Sequence, residues 1–222
     1  MPETTPIRDA ATLILIRDQT HVLMGQRGAG AAFMPNKYVF PGGAVDPNDS
    51  AIPTGPLSPR CTARLHEASH LSAEALAAAA IRELWEETGQ ILGRPGVWPN
   101  APQGWRGFAE TGHVPHGSAL QFFFRAVTPQ GRPRRFDARF FLANAADLAS
   151  DPDDFSDAED ELSHLHWVAL DDARKLDLPF ITKVVLAELK AHLQGDGAIK
   201  NVPFFRNDDE AHLIARLGGQ EL

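Results

Sequence analysis

Residues 72–89, SAEALAAAAIRELWEETG, decide how this chain is read. Ser72 is an N-cap residue type, the run after it is rich in alanine and leucine, and Gly89 is the residue that most readily closes a helix in the left-handed conformation. The pattern predicts a helix over 73–88. At 100° per residue, Glu83, Glu86 and Glu87 fall within an arc of about 100°, with Arg82 beside them and Ile81, Leu84 and Trp85 on the opposite side. The apolar stripe can fix the helix against a sheet, which would hold the three carboxylates in place. The simplest account of such a face is solvation. Its internal repulsion is only about 0.2–0.5 kcal/mol per pair, so repulsion alone does not decide the matter. The other account is a site for a hard cation, since Mg²⁺ and Mn²⁺ take oxygen ligands and would relieve that repulsion.

Working outward, residues 10–17 and 21–26 are short apolar runs around a polar turn and predict a strand pair. Tyr38 to Phe40 predicts a third strand, stopped at Pro41-Gly42-Gly43, where glycine allows close backbone approach. Residues 44–71 begin rich in Pro, Asp, Ser and Gly and turn helical over about 60–69, the pattern of an insertion. Residues 94–118 predict a surface loop with one helical turn near Trp105 to Glu110. Residues 119–127 and 136–143 predict a hairpin, 162–170 a strand, and 179–193 an amphipathic helix with proline near its first turn. Strands and helices mix without regular alternation, which favours an α+β fold with a mixed sheet covered by helices. The 222 residues are expected to form a single domain, 1–222.

The bulk numbers exclude several classes. With 21 basic against 29 acidic residues and a net charge of -8, a general nucleic-acid or anionic-membrane surface is disfavoured, although phosphates can still be held through a metal. A lone Cys61 rules out an internal disulfide and the cysteine-rich zinc modules, and points to a reducing compartment. The start, MPETTPIRDA, does not read as a signal peptide, and no run approaches the roughly 20 apolar residues of a membrane span. A soluble, cytoplasmic chain is expected.

Glu74, seven residues, then Arg82-Glu83-Leu84-Trp85-Glu86-Glu87-Thr88-Gly89 resembles the second part of the Nudix box, and Tyr38-Val39-Phe40-Pro41-Gly42-Gly43 resembles the strand and Gly-Gly turn that open it. Two departures stand out. The family leaves five residues between the second glycine and the first glutamate, whereas thirty, Ala44 to Ala73, separate Gly43 from Glu74; and Gln90 stands where the family has an aliphatic residue, with Ile91 able to supply that packing. An inserted box, Gln26-Arg27, Phe33-Met34-Pro35 and Pro133 to Phe141 (PRRFDARFF) together resemble the branch that contains the mammalian peroxisomal coenzyme A diphosphatase. The C-terminal GGQEL does not read as a peroxisomal address.

The resemblance implies a Nudix-like α/β/α sandwich, with a helical or loop insertion between the Gly-Gly turn and the catalytic helix. It implies Mg²⁺- or Mn²⁺-dependent attack of water at phosphorus in a nucleoside diphosphate linked to another moiety. Glu83, Glu86 and Glu87 are the implied metal ligands, with a Gly42 or Gly43 carbonyl as a further candidate. Arg82 would orient a carboxylate, and Glu74 would bind metal through water or simply order the helix. Glu161, just before the 162–170 strand, would be a general base, an extra ligand or a solvated acid. Arg27 and Arg139 are candidate substrate contacts, each with an ordinary structural alternative: surface for Arg27, and for Arg139 a polar sheet face shared with Arg135 and Asp137. Coenzyme A or acyl-CoA is the first substrate expected, followed by ADP-ribose, NADH and nucleotide sugars. The partner expected is this small molecule, with no nucleic acid and no membrane; a homodimer is one option for assembly. Glu86→Gln and Glu87→Gln are expected to cut turnover by orders of magnitude and barely to alter folding, as removals of solvent-facing charge.

Two other classes remain open. His66-Glu67-Ala68-Ser69-His70 matches the zinc-peptidase pattern of two histidines four apart on a helix with a glutamate base, although Ser72 reads as a new cap too soon after His70. A non-catalytic, nucleotide-binding Nudix-like module is the other. His164 and His166 read as hydrogen-bonded surface residues sharing one strand face, and the four tryptophans as packing, with Trp98 or Trp105 available to cover an adenine.

Overall fold

A computed structural model describes residues 5–31, 33–207 and 214–218. GGQEL therefore lies largely outside the described residues. Among the described residues, strand β1 (Ile7–Arg17) is the centre of a nine-stranded mixed sheet. Its one edge runs parallel to β8 (Arg135–Asn144), and its other edge is shared. The start of that edge pairs with β4 (Gly42–Ala44) and its end with β2 (His21–Arg27). Beyond β2 lie β3 (Tyr38–Val39) and β9 (Leu162–Ala169). On the far side β7 (Gln121–Val127) pairs antiparallel with β8, as expected of the hairpin, and is followed by β10 (Val202–Phe205) and β11 (Ile214–Leu217). A separate ribbon, β5 (Gly93–Pro95) with β6 (His113–Pro115), carries the loop between them.

The side chains of β1 alternate across the sheet, as strand geometry requires. Ala11, Leu13 and Leu15 face one core with α2 (Ala73–Thr88), α1 (Pro59–His66) and α3 (Arg106–Glu110). Ile14 and Ile16 face the other core with α5 (Phe180–Leu193), which follows a single turn α4 (Leu170–Ala173). The result is helices on both faces of a mixed sheet, the α+β sandwich expected. Among the described residues no helix is long and apolar enough to cross a membrane.

Several elements differ from expectation. The Gly-Gly segment is itself a strand: Thr12 pairs with Gly42 and Ala11 with Gly43. A Cβ at Gly42 would come within 2.6 Å of the Ala11 carbonyl and the Thr12 Cα, so close pairing needs glycine there. Strand β10, VPFF, is too short and proline-bearing to be read from sequence. Helix α1 ends at His66, because Glu67 is extended (ψ 119°) and Ala68 is left-handed (φ 52°). His66 and His70 thus share no helix, which removes the geometry the zinc-peptidase reading requires.

The face of β8 bearing Arg135, Asp137 and Arg139 is also not a polar surface. Arg139 is 1% exposed and Arg125 4%. Arg125 grips both oxygens of Asp137 (2.9 and 2.6 Å) and donates to the Glu67 and Ala68 carbonyls. Arg139 binds Asp9, the Asp137 carbonyl and the Ser69 hydroxyl. The HEASH turn is therefore the lid of a buried ion network, and the candidate substrate contact at Arg139 becomes a structural one.

Candidate active site

Helix α2 delivers the glutamates because both its ends are fixed. The Ser72 hydroxyl accepts from the Ala75 N–H, and Gly89 closes the helix at φ 70° with its N–H on the Trp85 carbonyl. Gln90, out of pattern for the family, is fully buried and satisfied: its amide nitrogen donates to the Asp151 and Asp154 carbonyls and its oxygen accepts from Ser150. It ties the 150–154 loop to the helix end, while Ile91 packs in the core as expected.

The carboxylate face points inward. Glu87 is 2% exposed and Glu83 9%; Glu86 is half-buried. Glu87 Oε2 accepts the Gly42 N–H at 2.7 Å, and its buried Oε1 has no partner. The Glu83 carboxylate lies so close over Gly43 that a Cβ there would collide with it. The expectation of solvent-facing charge is thus corrected: β4 and the α2 glutamates are packed against each other.

Arg82 sits between the acids. Its Nη1 donates to Glu83 Oε1 at 2.8 Å and Glu86 Oε2 at 2.9 Å, its Nε and Nη2 reach the two oxygens of Asp49 at 3.1 Å each, and Nη2 also donates to the Ala44 carbonyl at 2.9 Å. Asp49 belongs to a short helical turn, 47–51, and is 1% exposed. Sequence reading missed it. The available signal was a possible cap pair, Asp46 and Asp49, in a stretch otherwise read as polar loop.

Electrostatically the cluster has too much negative charge. Burial pushes the Glu83 carboxyl up to about 7, against the pull of Arg82, with Glu86 and Glu161 adding to the rise. Burial and then Glu83 raise Glu87 well above the ordinary range, only partly opposed by the Gly42 N–H. Burial also raises Glu86. Burial would lower Arg82, but the Asp49 hydrogen bond and the charges of Glu83, Asp49 and Glu86 outweigh it and hold the guanidinium firmly charged.

Arg27 and Glu161 come together: Arg27 Nη2 donates to Glu161 Oε1 at 2.9 Å, at the mouth of the cluster where both act electrostatically on Glu87. Glu74 does not join them. It is exposed, and nine residues of helix place it about 14 Å from Glu83 along the axis. His164 lies at a bulge (φ 52°), so it does not simply share a face with His166; the His166 ring packs edge-on against Tyr38. Trp105 and Phe108 pack into the α2-side core, and Trp98 lies tilted against Trp105. A cavity of about 160 Å³ opens beside Arg82 and Glu86, walled by Asp46, Asn48, Gln103 and Trp105.

The donor set suits a hard divalent cation: carboxylate oxygens, one of them buried and unpartnered, beside a strand whose Ala44 carbonyl meets the same guanidinium. Among the described residues no three acid, imidazole or thiol side chains are gathered around one point. Arg82 holds Glu83 and Glu86, and Gly42 holds Glu87, so a cation would compete with these bonds.

Comparison with known proteins gives a consistent picture. A NUDIX domain model matches residues 6–189. A Caenorhabditis elegans protein that bears the name nudix hydrolase 7 is 28% identical over 179 residues, 74% of this chain and 52% of that relative, so the chain spans about half the relative's length. The crystal structure of a NUDIX hydrolase from Alicyclobacillus acidocaldarius superposes with a TM-score of 0.65 at 28% identity, over 86% of this chain and 97% of that one. A MutT protein from Methanosarcina mazei Go1 gives 0.52 at 16% identity over 86% and 98%, a likeness of fold.

Proposed function

The chain belongs to the Nudix family, and from that premise we propose that it is a diphosphatase that cleaves a nucleoside diphosphate linked to another moiety, with Mg²⁺ or Mn²⁺. One observation carries the reading: Glu87 and Glu83 are packed against Gly42 and Gly43, the Arg82 guanidinium joins Glu83 to Glu86, and a buried Glu87 oxygen is unused. Divalent ions held there would neutralise diphosphate charge and lower the pKa of the attacking water. Glu83, Glu86 and Glu87 would hold them, with a Gly42 or Gly43 carbonyl as a further ligand. Arg82 orients Glu83 and Glu86 rather than touching substrate. Glu161, paired to Arg27 at the mouth, would accept a proton from water once an incoming phosphate draws Arg27 away.

Coenzyme A or an acyl-CoA is the first substrate we propose, on the resemblance of Gln26-Arg27, 33–35 and 133–141 to the coenzyme A branch. Of these stretches, the last has Arg139 buried in the sheet network, which leaves Arg27, of the two candidate arginines, available to substrate. ADP-ribose, NADH and nucleotide sugars follow. We further propose one hydrolase domain in a reducing, cytoplasmic setting, on the strength of the single, buried Cys61.

The test is a panel of these diphosphates with Mg²⁺ and with Mn²⁺, following release of nucleoside monophosphate or its phosphorylated counterpart, with Glu86→Gln as control. Metal-dependent release by wild type and its loss in the control are expected. Tight nucleotide binding with no release from any substrate would replace this reading with a binding module.

A further inference from the structure

The residues between Gly43 and α2 contain an acid, Asp49, that reaches the glutamate cluster, which Glu74 does not. Counting five residues on from Gly43, Ala44 to Asn48, the next is Asp49. That is the spacing the Nudix box leaves before its first acid, with aspartate in place of glutamate. On this count the extra residues follow Asp49 instead of preceding the acid.

The geometry gives Asp49 a task. Arg82 has five N–H donors in a rigid fork, and five bonds are formed: two to Asp49, one to the Ala44 carbonyl, one to Glu83 and one to Glu86. The two sides of the fork are therefore set against each other. Asp49 and Ala44 hold Nε and Nη2, which aims Nη1 at the pair of glutamates. Asp49 is itself held: its Oδ2 accepts the Asp46 N–H at 2.8 Å, the Asp46 side chain caps the same turn, and the side chain is 1% exposed. Glu74, exposed near the other end of α2, has no such reach.

We propose that Asp49, not Glu74, is the acid that completes the glutamate motif. It is a positioning residue that acts through Arg82 to set the Glu83 and Glu86 carboxylates, and it keeps the guanidinium from collapsing onto them. The inference rests on the proposed metal-dependent reaction for its readout, and on the Arg82 network alone for its content. Without Asp49 the Arg82 side chain loses the anchor on its far side and has only the two glutamates and one carbonyl to satisfy it, so the glutamates are less free to take a cation.

The experiment measures Mn²⁺ affinity by electron paramagnetic resonance on the full chain, with melting temperature, kcat and KM alongside, for wild type, Asp49→Asn, Glu74→Gln and Arg82→Lys. Asp49→Asn is expected to weaken Mn²⁺ binding by roughly 10- to 100-fold, the usual cost of losing an outer-shell partner, and to lower kcat more than KM changes. Arg82→Lys, which keeps the charge but not the fork, is expected to weaken it comparably. The double variant should be no weaker than Arg82→Lys alone, a result that general loosening of the fold would not give. Glu74→Gln should bind Mn²⁺ as wild type does. If Asp49→Asn, or Arg82→Lys in its stead should the former not fold, binds Mn²⁺ with wild-type affinity, this inference is overturned while the proposed function stands. A larger loss in Glu74→Gln than in Asp49→Asn overturns it equally. Wild type that binds no Mn²⁺ removes the proposed function and this inference together.

Discussion

Two arginine clusters, one at each end of the 44–71 segment, use the same residue types to opposite ends. Under the HEASH turn, Arg125 and Arg139 face Asp9 and Asp137, two guanidiniums against two carboxylates. At the end of α2, a single Arg82 faces Asp49, Glu83 and Glu86, with Glu87 packed beside them. The first cluster is balanced and fastens a turn, with Arg125 donating to the Glu67 and Ala68 carbonyls and Arg139 to the Ser69 hydroxyl. Each cluster keeps one buried atom without a partner, Arg139 Nε in the first and Glu87 Oε1 in the second, but only the second is short of positive charge and has its carboxyl groups raised by burial. Burying charge is tolerable when it is paired. The cluster left unbalanced is the one positioned to gain from a bound cation.

The largest effect that would sharpen this contrast is on turnover. Glu87→Gln keeps an oxygen for the Gly42 N–H but removes the charge, and is expected to lower kcat by roughly a hundredfold to a thousandfold, the scale for a group that stabilises developing charge. Contrary to the view from sequence, its folding should change: the metal-free variant should melt higher than wild type at pH 8, because the cost of burying an ionisable carboxyl has gone. Steady-state kinetics and calorimetry on the same preparation check both halves.

In the balanced cluster the effect should fall on stability. Arg139→Met takes the guanidinium from Asp9 and leaves Asp137 to Arg125 alone; it is expected to cost about 3 kcal/mol, or roughly 10 °C in melting temperature, while kcat per folded molecule stays near wild type. A large loss of kcat in the still-folded variant would break the division drawn between the clusters.

A smaller effect is the pH dependence of the unbalanced cluster. The Glu83 carboxyl, ordinarily near 4.5, is pushed up to about 7, so the fold binds more protons than the unfolded chain across that interval. Stability from this group is fully present below about pH 4.5 and is lost as pH rises through 7. The melting temperature of chelator-treated protein should therefore fall between pH 5 and pH 8, and Mn²⁺ should restore it at the upper end. A flat profile would mean that the acids are not held as raised groups.

The smallest effect is expected at the histidines. His66 and His70 are exposed, on opposite sides of a helix end. His66→Ala and His70→Ala should each stay within about 0.5 kcal/mol of wild-type stability and leave turnover and zinc content unchanged, by calorimetry, assay and metal analysis. Zinc lost with either histidine would reopen the reading that the break at Glu67 and Ala68 closed.

How much of this was readable differs by residue. Ser72, the alanine run, Glu83, Glu86, Glu87 and Gly89 lie within one stretch, and helical periodicity alone brings the three glutamates to one side. The hairpin of β7 and β8 and the helix α5 were likewise local patterns. Asp49 was missed because its partner is thirty-three residues away and its surroundings read as loop. Arg139 was misjudged because alternation along a strand tells which residues share a face, but not whether that face is covered. Here the turn at 67–69 covers it.

The sequence by itself determined the helix, its charged side and the glycine pair, since these depend on backbone propensity and on a fixed period of 3.6 residues. Only the tertiary structure decided that this side faces inward against β4, that Arg82 is gripped from behind by Asp49, and that a zinc-like motif is a lid. Burial and long-range pairing set those outcomes, and neither is a property of any short stretch of chain.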